Sequence, residues 1–192
     1  MTALGTAAAG KDFTEAFAAK AGYAAQLTLN TVTPEQCAFV SALRNMSGKA
    51  ANPVSFSVKN AEIRGNNADT GAVGDPLNLS LSGTGGRNAY LFVMDHNGGI
   101  QNINRLCPSC FAMNPDGFAA ALSLFSPAHT EVASAQSFHP VLVFAVASPK
   151  PLISINAQDA FDANDFIAPF LKEISGSRDV STAVAFVKLK DQ

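Results

Sequence analysis

Asn88-Ala-Tyr-Leu-Phe-Val-Met-Asp-His-Asn-Gly-Gly-Ile-Gln-Asn-Ile103 sets the plan of this molecule. An apolar run from Ala89 to Met94 gives way to the turn formers of residues 95–99, after which Ile100 and Ile103 are separated by amides. That order predicts two antiparallel strands joined by a tight turn. On its N-terminal side Leu77, Leu79 and Leu81 alternate with Asn78, Ser80 and Ser82, the mark of a sheet with one buried face and one wet face. Gly83-Thr-Gly-Gly86 then turns the chain into the hairpin. On its C-terminal side Val141-Leu-Val-Phe-Ala-Val146 is the most uniformly apolar stretch in the chain and predicts the centre of the sheet.

The flanks supply further elements. Phe13, Ala16, Phe17 and Ala21 share one side of a 3.6-residue period, predicting a helix over residues 12–21 that stops at Gly22. Residues 24–32 alternate as a half-buried strand. Thr33-Pro34-Glu35-Gln36 combines a capping hydroxyl, a proline at the first helical position and a glutamine three residues after the cap, and predicts a helix running to Gly48. Residues 50–53 read as a linker and 54–59 as a strand, while residues 65–74 and 106–117 read as irregular loops. A strand over residues 118–125, a helix over 162–174 containing Pro169, and a closing strand over 182–190 complete the chain. The expected fold is α+β, an antiparallel β-sandwich-like core with a few flanking helices. Residues 1–50 form an N-terminal helix–strand–helix segment and residues 51–192 the β-rich domain.

A chain of 192 residues buries roughly 70% of the surface exposed when it is unfolded, enough for one well-filled core. With 47% hydrophobic and 15% charged residues it belongs to the ordered globular class. Its 14 Phe, against 2 Tyr and no Trp, make phenylalanine the main aromatic filler. A net charge of -2 and scattered lysines and arginines provide no basic stripe, so nucleic acid is not an expected partner. No apolar run approaches the ~20 residues that span a bilayer, so this chain is not expected to insert directly into a membrane.

Few residues point to chemistry. Gly5-Thr-Ala-Ala-Ala-Gly10-Lys11 approaches a phosphate-loop pattern, but Asp12 stands where a magnesium-binding hydroxyl belongs, and a loose N-terminal arm is expected instead. Asp95, His96 and Asn97 have the composition of a solvated hairpin tip. Asp159, Asp162 and Asp165 precede a helix, which favours capping over a carboxylate cluster. Cys37 falls on the apolar side of its helix and reads as core packing. Cys107-Pro-Ser-Cys110 has the spacing shared by redox dithiols and half zinc sites. A turn predicted at Asn114-Pro-Asp-Gly117 argues against a following helix that would activate a thiol, and His129 and His139 are too widely spaced for the usual zinc pattern. A local disulfide, two free thiols, a metal half-site and a redox dithiol stay open here, with the disulfide leading. No catalytic, cofactor or metal set is expected. The candidate binding loops are Asn66, Asn67 and Asp69, then Asp95, His96 and Asn97, then Pro108 and Ser109, because function on such scaffolds gathers on loops.

Gly74-Asp-Pro-Leu77 with its alternating leucines, Ala89-Tyr-Leu-Phe-Val93 with the turn after it, and Val141 to Ala147 followed by Ser148-Pro-Lys-Pro-Leu152 resemble a β-rich bacterial domain of unknown function. That domain occurs on the C-terminal side of serine/threonine protein kinases, caspase-like peptidases and envelope proteins. Where its members often carry Leu-Phe-Pro-Asn, this chain has Leu106-Cys-Pro-Ser-Cys110. The resemblance implies a non-catalytic accessory unit of a larger bacterial protein, sensory, scaffolding or partner-binding, with a protein as its partner; the compartment stays open, with the extracytoplasmic (periplasmic or envelope) side leading. The alternatives are a thiol–disulfide redox protein using Cys107 and Cys110, and a secreted or envelope effector acting by contact.

Overall fold

The computed structural model describes residues 2–5, 7–23, 28–47, 52–125, 138–174, 177 and 179–190. The chain begins with β1 (Thr2–Gly5), α1 (Ala7–Ala21), β2 (Thr28–Thr31) and α2 (Pro34–Ser47). The central elements are β3 (Ser55–Val58), β4 (Glu62–Arg64), β5 (Leu77–Ser82), β6 (Asn88–Met94), β7 (Gly99–Asn102), the short α3 (Ile103–Leu106), a 3-10 turn at Pro108–Cys110, β8 (Phe111–Asn114) and β9 (Gly117–Leu122). β10 (His139–Ser148), β11 (Ala160–Asp162), α4 (Ala163–Ile174) and β12 (Ser181–Lys190) complete it. Two sheets make the body: a six-stranded one ordered β11-β7-β6-β10-β12-β4 and a four-stranded one ordered β3-β5-β9-β8. Only β12 and β4 pair in parallel within them, so the fold is α+β with an antiparallel-dominated sandwich, as expected.

β10 lies inside the larger sheet, and both of its faces are covered. Leu142, Phe144 and Val146 enter one core together with Phe39 of α2 and Phe166 and Phe170 of α4. Val141, Val143 and Ala145 enter a second core, where Leu77, Leu79 and Leu81 of β5 and Phe118 and Leu122 of β9 meet them. A strand buried on both sides cannot alternate in polarity, and this is why residues 141–146 are uniformly apolar. β6 divides its side chains in the same way: Tyr90, Phe92 and Met94 join the helices, and Leu91 and Val93 join the smaller sheet. In the helical core the Phe92 and Phe144 rings stack at 5.0 Å and Phe39 lies 4.7 Å from Phe144, contacts that add about 1 kcal/mol each beyond the area they bury.

The cap read at residues 33–36 forms reciprocally. Gln36 N–H donates to Thr33 Oγ1 at 3.3 Å, and Thr33 N–H donates to Gln36 Oε1 at 3.2 Å. Several expectations are revised. The N-terminal arm is a strand and a helix: Lys11 sits on exposed α1 and pairs with Glu15 at 3.9 Å, where a phosphate loop would leave it free. α2 lies before the boundary placed at residue 50, yet its Phe39, Val40 and Leu43 belong to the helical core of the β-rich body. Residues 106–117, expected to be irregular, hold the 3-10 turn and β8, an edge strand whose Ala112 and Met113 face solvent and therefore show no alternation. The helix read over residues 162–174 forms as α4, with Pro169 inside it. The expected residues 24–27, the stop at Gly48, the first part of the linker and His129 lie outside the described residues.

Candidate functional site

Gln36 is wholly buried although it is polar, and its amide holds two elements together. Nε2 donates to Asp95 O of the hairpin turn at 3.0 Å and to Pro140 O of β10 at 2.9 Å. From the other side Ala163 N–H, at the start of α4, donates to Gly98 O at 3.0 Å. Inside the turn, Asp95 Oδ1 accepts the N–H groups of Asn97 at 2.8 Å and Gly99 at 2.9 Å, so one of its two carboxylate oxygens is engaged by its own backbone. Gly98 supplies the positive φ of 91° that the turn requires. The tip expected to be merely solvated is thus fixed at both flanks, with Asp95 and Asn97 exposed and His96 half-buried.

A second loop is joined to the same region. Asn67 Oδ1 accepts the N–H groups of Asp69 at 2.9 Å and Thr70 at 3.0 Å, and Asn66 Oδ1 accepts Gly74 N–H at 2.7 Å, so the asparagines shape the loop from within. Asn66 N–H donates to Leu124 O at 2.7 Å and forms a bridge with Phe125. Leu124 and Phe125 in turn line a 260 Å³ cleft together with Asp95, His96 and Asn97. Val93, Val141 and Leu189 line its apolar part, and Gln101, Ser123 and His139 add polar groups. The two imidazoles lie with ring centroids 5.2 Å apart, tilted by 44°. Burial first, then the neighbouring His139, push the His96 pKa below its ordinary value, with Asp95 opposing them.

One of the three expected binding loops, the turn of Asp95, His96 and Asn97, therefore lines the cleft; Asn66, Asn67 and Asp69 do not, and Asn66 is connected to it through its bridge to Phe125. Pro108 and Ser109 are not among its lining residues; they are exposed on the turn between Cys107 and Cys110, which are joined in a disulfide with Cα atoms 5.3 Å apart. Cys107 caps only the three-residue 3-10 turn Pro108–Cys110, and β8 starts directly after it, so no α-helix follows the first cysteine as it does in redox dithiols. Cys37 is half-buried against the helical core. The three aspartates near residue 162 are separately engaged: Asp159 Oδ1 accepts Arg105 Nε–H at 2.6 Å, Asp162 Oδ1 accepts Asn164 N–H at 2.9 Å, and Asp165 occupies the first turn of α4. Among the described residues no three side chains of the metal-binding types gather, and no helix is long and apolar enough to cross a membrane.

His139, Gln101, Ser123, Phe125 and Gln36 were not singled out as site residues from the sequence. His139 had a signal. In the antiparallel pairing of β6 with β10, Leu142 faces Met94, and continuing that register by three residues brings His139 level with Asn97 in the turn. Phe125 had none, because it depends on an isolated bridge to a loop nearly sixty residues earlier. No family model and no curated protein matches the chain.

Proposed function

We propose that this chain is a non-catalytic accessory module of a larger bacterial protein, one that acts by holding a protein partner at the hairpin-tip cleft. The observation that carries this reading is one concave site lined by the turn at Asp95, His96 and Asn97, by His139 and by residues 123–125, fixed to the core by Gln36 and tied to the 65–74 loop through the Asn66–Phe125 bridge. A volume of 260 Å³ falls below the ~300–1,000 Å³ of small-molecule pockets and suits a single anchoring side chain of a partner. Phe125, 63% exposed at the rim, offers the partner an aromatic contact. The resemblance to domains that accompany kinases, peptidases and envelope proteins supports an accessory role. The Cys107–Cys110 disulfide supports an extracytoplasmic setting, since such bonds persist in oxidising compartments.

Photo-crosslinking tests the proposal. A benzophenone amino acid is placed at Asn97 or Phe125, with Ser57, on the exposed face of β3, as the reference position. The reading expects a discrete protein adduct in bacterial cells from the first two positions and none from the third. Equal adducts at all three positions, or an adduct at Ser57 alone, would sink it.

A further inference from the structure

We propose that His96 and His139 form a two-imidazole site for a divalent transition-metal ion, zinc, nickel or copper(II), inside the hairpin-tip cleft. Zinc bonds imidazole nitrogen at ~2.0–2.1 Å, which puts each ring centre about 3 Å from the ion and the centres of two rings in tetrahedral arrangement about 5 Å apart. The observed separation is 5.2 Å, with the rings tilted by 44°. The two rings come from independent elements, one from the β6–β7 turn and one from the first residue of β10, and Gln36 ties those elements together through Asp95 O and Pro140 O. Their spacing is therefore set by the core rather than by two loose side chains.

The surroundings favour a cation. Asp95 contributes the formal charge among the lining residues, which include no lysine or arginine, and Leu189 faces the cleft while its neighbour Lys188 lies over the Phe138 ring at 5.2 Å. Asn97, Gln101 and Ser123 bring side-chain oxygens to the lining of the same cleft. Imidazole suits zinc, copper and nickel, while an all-oxygen set would be needed for magnesium or calcium. Two protein ligands leave positions open for water or for a donor from outside the chain. This inference stands apart from partner binding, since the ion alone is the probe.

The test is calorimetric titration of zinc chloride into the metal-free full chain, with His96→Gln and His139→Gln alongside. One ion per chain should bind saturably, and each substitution should weaken binding by more than about tenfold. Copper(II) provides a measurement independent of any variant: amide resonances of residues 95–101 and 139–141 should broaden first. The proposal is overturned if the wild-type chain shows no saturable binding, if either variant retains the wild-type affinity, or if broadening centres on another part of the chain.

Discussion

Gly117 begins β9, and a Cβ built there would lie 2.0 Å from Leu81 O, with φ at +156°. A methyl group has no way out, because the atom it meets belongs to the backbone of the neighbouring strand β5. Gly117→Ala should therefore cost about 3 kcal/mol or more in urea unfolding, and an unchanged midpoint would show that the two strands are not so close. Next to it Asp116 accepts the N–H groups of Gly83 at 2.9 Å and Gly85 at 3.3 Å, which hold its carboxyl below the ordinary value of 3.8. A depressed folded pKa contributes stability that is present above the unfolded value and is lost as pH falls through the folded one. Asp116→Asn should thus lower Tm at neutral pH, and the gap to wild type should close as pH drops below about 4. A gap independent of pH would contradict the assignment. The glycine at residue 117 was legible only as part of a turn, since the carbonyl that forbids a side chain belongs to a strand thirty-six residues earlier.

At the scale of elements, local chemistry was the most readable part. The reciprocal Thr33 and Gln36 bonds need no tertiary information, and the helix begins where residues 33–36 place it. Thr33→Ala should destabilise the protein by about 1 kcal/mol, read from the same unfolding curves, while Thr33→Ser should restore most of the loss. What a capping pattern does not show is that Gln36 also reaches across to the hairpin turn and β10, a buried contact set by tertiary structure. The short edge strands were hidden for a related reason. β4, β8 and β11 have three or four residues each, and β8 is half-open to water, so neither period nor burial marks it. The disulfide before β8 closes a very small loop, and its chain-entropy contribution is about 2 kcal/mol. Replacing both Cys107 and Cys110 with serine should lower stability by no more than that and leave the amide spectrum of β6 and β10 unchanged; global unfolding would mean that the turn holds the core.

Over the whole molecule, the uniform apolarity of residues 141–146 located a strand with both faces covered, and the leucines of β5 supplied the sheet on one side of it. The helices that cover the other side come from opposite ends of the chain, α2 and α4, which is why an N-terminal segment could look separate in sequence while sharing the helical core. The cleft is a product of the same arrangement. It lies where the β6–β7 turn, the start of β10 and the segment after β9 converge, and a linear reading finds the turn without finding that His139 and Phe125 lie beside it. Contact at that cleft is the function we propose for this chain. Hydrogen exchange on the chain bound to its crosslink-identified partner measures it most directly. Protection concentrated in residues 95–101, 123–125 and 138–141 is the predicted result; protection confined to the outer face of β3 and β5, or to the Cys107–Cys110 turn and β8, would contradict it.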